Sequence, residues 1–316
     1  MKKKNRILIT GGAGYIGSQL TPKLLKDGFK VTVLDNLLFN QTSLLACCSF
    51  KNFDFIKGDI TDFKLVESLM DQNDIIIPLA ALVGAPACNI NKTSTKQINY
   101  DSYKFLISKI KKNHKLIFPN TNSGYGIGKK TEFCDEKSPL KPISSYGKYK
   151  VAIEKIILKK NIGVTLRLAT VFGSSPRMRT DLLVNDFVLN ALQNKSLILF
   201  ESHFRRNFIH VLDVVSAFIF SIKNYNKMKG EAFNVGLSSA NITKLQLAEK
   251  IKNILPETYI HESNIGKDPD KRDYIVSNNK IESLGWKPKY SLEYGIKELI
   301  KSYRMITTNS FTNLKW

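Results

Sequence analysis

Short apolar runs recur along the first half of the chain, each separated from the next by a stretch long enough for a helix. Residues 7–9, 30–34, 53–56, 74–79 and 115–119 are such runs. They are too short for helices and suit strands covered on both faces of a parallel sheet. The stretches between them include 14–27 and 94–112, which read as helices, and a further helix is expected from 144 to 160. This alternation predicts right-handed crossovers and an α/β fold with a Rossmann-type, doubly wound parallel sheet. A sixth strand is expected over 166–173. Beyond it the pattern becomes irregular, with a helix at 181–193, strands at 196–200 and 208–209, and a return to the sheet through 213–224 and 232–235. The expected division is a Rossmann domain over 1–175 together with 210–236, and a smaller C-terminal α/β substrate lobe from 176–209 and 237–316. The last dozen residues, from Met305, show no period and are expected to be mobile.

With 316 residues and 43% hydrophobic content, the chain can bury one large core or two unequal ones. No run approaches the roughly eighteen apolar residues of a membrane span. Lys2–Lys4 precede too short an apolar segment for a secretory signal. A cytoplasmic location without a membrane partner follows. Cys47, Cys48, Cys88 and Cys134 have neither a disulfide framework nor a metal spacing, so they read as inert thiols and no metal is expected. The net charge of +21 raises nucleic-acid binding. The lysines, however, are scattered along the whole length without interleaved aromatics, so a solvated surface accounts for them and no nucleic-acid partner is expected. Arginine is used differently. Of eight, Arg167, Arg177, Arg179, Arg205, Arg206 and Arg272 lie in the second half, where planar bidentate donors suit phosphate or sugar.

The chemistry begins at residues 6–17, Arg-Ile-Leu-Ile-Thr-Gly-Gly-Ala-Gly-Tyr-Ile-Gly. Gly11, Gly14 and Gly17 permit a tight turn, close approach of backbone to an anion, and close packing of helix on strand; the helix N-terminus then faces a pyrophosphate. Tyr15 and Ile16 belong to the same turn. The second strand ends in Asp35-Asn36, placed to accept from the adenosine ribose hydroxyls and to repel a 2′-phosphate, which favours NAD over NADP. Asp59, followed by Ile60, is read either as meeting the adenine edge or as capping the helix that begins at 61. Leu79-Ala80-Ala81 ends the fourth strand with side chains small enough to lie against a dinucleotide.

Thr121-Asn122-Ser123-Gly124-Tyr125-Gly126 follows the fifth strand, and Ser144-Ser145-Tyr146-Gly147-Lys148-Tyr149-Lys150 opens the next helix. Tyr146 and Lys150 are four apart and share a helical face. A phenol is a poor base at neutral pH, and a nearby ammonium stabilises its phenolate. Thr121 supplies a hydroxyl to hold a substrate oxygen.

The ordered set of the glycine turn, Asp35-Asn36, Leu79-Ala80-Ala81, Asn99, Thr121 with Tyr125-Gly126, Tyr146 with Lys150, and Arg206-Asn-Phe-Ile-His210-Val resembles the extended short-chain dehydrogenase/reductases that act on nucleotide sugars. The resemblance covers nearly the whole chain. It implies that Tyr146 takes a proton from a sugar hydroxyl, usually on C4, while hydride passes to NAD. Lys150 would also hold the nicotinamide ribose, and Asn99 would support the site. Val83, Asn122, Ser123, Arg177, Arg179, Asn185, Arg206 and Arg272 would touch the substrate, with Asn185 and Arg272 near its diphosphate. Arg206 is alternatively a structural ion pair, and His210 a packing or capping residue.

The family's 4,6-dehydratases carry Asp-Glu directly after the active-site threonine; here Asn122 and Ser123 stand there, and neither can act as a carboxylic acid or base. A cysteine–histidine pair like that of the epimerase-reductases is not evident. Oxidation at C4 remains, as a net dehydrogenation or as the first half of a 4-epimerisation. The segments 82–88, 119–126 and 175–179 are similar to the GDP-heptose 4-dehydrogenases of bacterial capsule assembly, which implies a GDP-sugar substrate. Gly124 would leave room for a heptose side chain, or is simply a turn residue. Relatives commonly form homodimers through a four-helix bundle of the helices at 94–112 and 144–160.

Overall fold

Seven strands line up in the order β10-β6-β5-β4-β1-β2-β3, all parallel. They are β1 (Arg6–Thr10), β2 (Lys30–Asp35), β3 (Phe53–Lys57), β4 (Ile75–Pro78), β5 (Lys115–Thr121), β6 (Gly163–Leu168) and β10 (Ala232–Val235). The computed structural model describes residues 5–83, 88, 91–129, 131–263 and 272–306. Ile7, Leu8 and Ile9 are fully buried, as are Ile75, Ile76 and Ile77 beside them, because helices cover both faces of the sheet. β1 pairs with β2 on one side and β4 on the other, so the strand order reverses at β1.

Two elements differ from the sequence expectation. The sixth strand starts three residues earlier, at Gly163, and ends at Leu168; β7 (Thr170–Phe172) then leaves the sheet and pairs with β9 (Arg205–His210). The apolar run is continuous through the break because residues on both sides are shielded, although by two different sheets. The helix expected over 94–112 is Lys92–Lys96 followed by a π-turn at Gln97–Asp101 and a helix at Ser102–Ser108. The wider turn carries Asn99, which is fully buried and bonded to the Leu82 backbone.

A second core lies beyond the sheet. It joins the helices Leu183–Asn194, Lys244–Ile254 and Leu292–Met305 through Val184, Phe187, Val188, Leu247, Ile251, Ile296 and Leu299. Around it are a three-stranded sheet, β11 (Asn241–Thr243), β9 and β7, and a parallel pair, β8 (Ser196–Phe200) with β12 (Tyr259–Ser263). Of the segment expected to be mobile, residues 307–316 lie outside the described residues, as do 84–87 of the segment 82–88.

Candidate active site

A reversal of strand order opens a crevice beyond the carboxyl ends of the strands. Here it is a cavity of about 730 Å³. Gly11, Gly14, Tyr15 and Ile16 line it, and so do Asp35, Asn36, Asp59 and Ile60. Leu79, Ala80, Ala81 and Val83 add the β4 side, while Thr121, Ser123, Tyr146 and Lys150 come from the end of β5 and the following helix. Arg177, Arg179, Arg206 and Arg272 reach it from the second half of the chain.

Gly11 has φ +70°, and a Cβ there would lie 2.5 Å from the Ala80 backbone; one on Gly17 would lie 2.4 Å from Gly12 O. Turn, helix and wall therefore close on one another only without side chains. Asp35 accepts from Ala13 N at 2.9 Å and Leu37 N at 2.8 Å. Burial pushes its carboxyl above the ordinary value, against these backbone bonds. Asp59 does not cap a helix. Asp62 does so for Phe63–Asp71, whereas Asp59 accepts from Thr61 N at 2.9 Å and Asn36 Nδ2 at 2.7 Å. Burial alone would raise the Asp59 carboxyl, and the bonds from Thr61 and Asn36 hold it below its ordinary value.

Ser144 caps the helix Ser145–Lys160, accepting from Gly147 N at 3.1 Å. One turn apart on it, Tyr146 and Lys150 both face the cavity. The Lys150 ammonium is 1% exposed and donates to Pro119 O at 3.1 Å. It lies 4.6 and 4.7 Å from the ring centroids of Tyr103 and Phe118 but 5.9 Å from that of Tyr146. Its direct partners are thus that carbonyl and, at 3.5 Å, Tyr103 Oη, rather than the Tyr146 phenol that the sequence spacing suggested. Burial pushes the ammonium down to about 7. Burial also pushes the Tyr146 phenol well above its ordinary value; Cys88 adds to this, and Arg179 and Arg272 oppose it.

Thr121 ends β5 and caps the short turn Asn122–Tyr125, its Oγ1 accepting from Ser123 N at 3.1 Å. The Thr121 and Ser123 hydroxyls are 2.8 Å apart, and Arg272 donates to Ser123 Oγ. Each hydroxyl has one hydrogen, so whichever donates to the other, one remains for a group in the cavity. Behind this turn, Asn120 Oδ1 accepts from Thr121 N at 2.8 Å while its Nδ2 donates to Glu154 at 2.6 Å. Glu154, 1% exposed, also accepts from Arg167 at 2.8 Å and Thr165 at 3.0 Å. Arg167 continues the chain of bonds to Tyr125 Oη at 2.9 Å.

Three of the expected residues stand behind the wall. Asn99 supports Leu82. Asn185 accepts from Gly173 N at 3.1 Å and donates to Arg179 O at 2.8 Å, so its amide is engaged with a loop rather than directed at a diphosphate. Asn122 is 1% exposed, with no partner for either amide atom among the described residues. Gly124 corrects another expectation: a side chain there would meet Val151 at 3.0 Å and Leu140 at 3.3 Å, so its missing side chain leaves no room in the cavity. His210 is a capping residue; its Nδ1 accepts from Leu212 N at 3.3 Å and its Nε2 lies 2.8 Å from Glu298. Arg205, not Arg206, pairs with Asp273, while Arg206 stands 6.0 Å from the Tyr274 ring centroid. Phe39 and Gln41 also line the cavity and had no motif to mark them; Cys88 and Tyr274 line it too, without a role expected of either.

A family model described as the NAD dependent epimerase/dehydratase family matches residues 7–236. The mouse dTDP-D-glucose 4,6-dehydratase is 29% identical over 325 aligned residues, covering 95% of this chain and 88% of that protein. The dTDP-glucose 4,6-dehydratase of Bacillus anthracis, solved in complex with NAD, superposes with a TM-score of 0.84 at 26% identity, over 98% of this chain and all of the other. The UDP-glucose 4-epimerase of Thermotoga maritima, solved with UDP-glucose, gives 0.81 at 27% identity over 95% of this chain and 99% of the other.

Proposed function

Because the chain belongs to the NAD dependent epimerase/dehydratase family, whose members modify nucleotide sugars with NAD, we propose that it oxidises C4 of a nucleotide-activated sugar. The glycine turn, Asp35, Asn36, Asp59, Ile60 and the Leu79–Ala81 wall would hold the dinucleotide, and the cradle at Gly11 and Ala80, closed to side chains, fits a pyrophosphate. When bound, NAD supplies the hydride acceptor. Tyr146 would take the proton of the C4 hydroxyl as its phenolate, a form that burial opposes and Arg179 and Arg272 favour, and the free hydroxyl hydrogen of the Thr121–Ser123 pair is donated to the oxygen as it becomes a carbonyl. Lys150 holds the ribose side of the nicotinamide. Arg179, Arg206 and Arg272, with Val83 and Ser123, form the sugar-nucleotide end, and Asn122 stands behind them.

The observation that carries this reading is the chemistry of the Thr121 turn. Two of the relatives above are dehydratases, and elimination needs an acid and a base beside the threonine. Here the turn holds an amide and a hydroxyl, with Arg272 on the hydroxyl. The acids lining the cavity among the described residues, Asp35, Asp59, Asp181 and Asp186, all come from other elements. Net 4-dehydrogenation is favoured, with a GDP-heptose as substrate on the strength of segments 119–126 and 175–179. The second reading is a 4-epimerase, which uses the same oxidation and returns the hydride to the other face.

The division into a cofactor domain, 1–175 with 210–236, and a substrate lobe belongs to the same proposal, as does a homodimer through the helices around residues 92–108 and 145–160. Replacing Tyr146 by Phe tests the reaction. NADH formation from a nucleotide sugar should fall by about two to four orders of magnitude while NAD still binds; undiminished turnover would remove Tyr146 from the chemistry.

A further inference from the structure

Arg177 is 3% exposed and belongs to residues 173–179, which leave β7 and cross back over the glycine-rich turn. Five hydrogen bonds fix the crossing. Tyr15 Oη donates to Gly173 O at 2.6 Å, Ser175 Oγ to Tyr15 O at 2.7 Å, Gln19 Nε2 to Ser174 O at 3.0 Å, and Arg177 N to Ser18 Oγ at 3.3 Å, while the Ser18 and Ser175 hydroxyls are 2.8 Å apart. Asn185 holds the strap from the other side through Gly173 N and Arg179 O.

The strap carries the Arg177 guanidinium to a point 4.3 Å from the ring centroid of Phe39. Phe39 lies in the loop after β2, and that same loop holds Asp35: Leu37 N and Gln41 Nε2 donate to Asp35 Oδ1 at 2.8 and 3.2 Å. Burial draws the guanidinium down to about 10, and Arg179 acts in the same direction, while Asp181 and Asp35 oppose it. By contrast, the arginines that act on the Tyr146 phenol are Arg179 and Arg272. Arg177 therefore sits at the Asp35 end of the cavity, against Phe39, while Arg272, bonded to Ser123, sits at the Thr121 turn.

From this placement we infer that Arg177 is a cofactor-binding residue at the adenosine end, closing a strap over the dinucleotide, rather than a substrate residue. The inference rests on the cofactor site proposed above. It has a second consequence. The guanidinium, which also donates to Met178 O at 2.5 Å, is packed over the Asp35 loop where a 2′-phosphate would compete for it, and the Asp35 charge is what keeps a 2′-phosphate out.

Calorimetric titration with ADP-ribose, 2′-phospho-ADP-ribose and the nucleoside diphosphates GDP, UDP and dTDP separates the possibilities. Arg177→Met should weaken ADP-ribose about tenfold or more and leave nucleoside diphosphate binding within about twofold. A loss as large for the nucleoside diphosphate, or no loss for ADP-ribose, would overturn the assignment. Because Arg177 is buried, Asp35→Asn provides an arm that leaves the strap intact. It should gain binding of 2′-phospho-ADP-ribose, and Arg177→Lys in that background should weaken the gain through loss of the bidentate fork. Equal binding with and without the guanidinium would refute the role. Failure of the unaltered protein to bind ADP-ribose at all would instead sink the cofactor site itself.

Discussion

At the scale of single residues, the environment of Lys150 makes a prediction that spacing alone could not. Its ammonium is enclosed by Tyr103 and Phe118, and burial draws it from an ordinary 10.5 to about 7. Between those values the unfolded chain binds a proton that the folded one releases, so this group makes stability rise with pH through that window; below about 7 both states are protonated and its cost is felt in full. Urea midpoints of the cofactor-free protein should therefore rise more between about pH 6.5 and pH 9 than those of Lys150→Met. A parallel rise in both would show that the ammonium is not destabilised in the folded state. Gly124 carries a prediction in the opposite sense from the one its sequence context suggests. Gly124→Val should cost about 1–3 kcal/mol by crowding Val151 and Leu140, whatever sugar is tested. Unaltered stability, with turnover lost only on the largest sugars, would restore the room argument. The convergence of Thr121, Tyr146 and Lys150 on one cavity was readable as a spacing. Which groups surround them was not, because Tyr103 reaches the ammonium from the helix Ser102–Ser108 and Phe118 and Pro119 from β5, both distant in sequence.

At the scale of elements, the Ser145–Lys160 helix is joined to the end of β5 by charge as well as by packing. Glu154 lies one turn beyond Lys150 and receives Asn120, Thr165 and Arg167, so the helix that carries Tyr146 and the strand that carries Thr121 share one buried carboxylate. Removing one member of such a pair leaves a charge uncompensated in the interior. Glu154→Gln should destabilise the protein by about 3–5 kcal/mol in urea titration, and adding Arg167→Met should recover part of that loss. If the double variant were less stable than the single, the carboxylate would not be acting through the arginine. Apolar runs located the strands of the parallel sheet to within about two residues at most ends. The same criterion failed at Ala169, where burial continues while the chain changes sheets, and at Gln97–Asp101, where one wider turn interrupts an otherwise helical stretch.

At the scale of the whole molecule, the parallel sheet with its reversal at β1 was legible because each strand-turn-helix unit carries its own signal. The second core was less so, since its helices and short strands are united only by tertiary contact. Among the described residues no helix is long and apolar enough to cross a membrane. The charge of +21 bears on assembly. Lys148, Lys155 and Lys159 are exposed on one face of the Ser145–Lys160 helix, beside the half-buried pair Tyr100 and Tyr149, whose ring centroids are 5.7 Å apart. If two copies pair through these helices, like charges approach, and sedimentation should show association strengthened by salt. Association weakened by salt would place the contact elsewhere.

The central claim concerns what becomes of the C4 hydroxyl, and NMR of the sugar after incubation with NAD and GDP-heptose reads it directly. The account predicts a 4-keto sugar with C6 unaltered and one equivalent of NADH for each sugar oxidised. An inverted C4 hydroxyl without net NADH would replace dehydrogenase by epimerase, and a 6-deoxy-4-keto product would contradict the reading of the Thr121 turn outright.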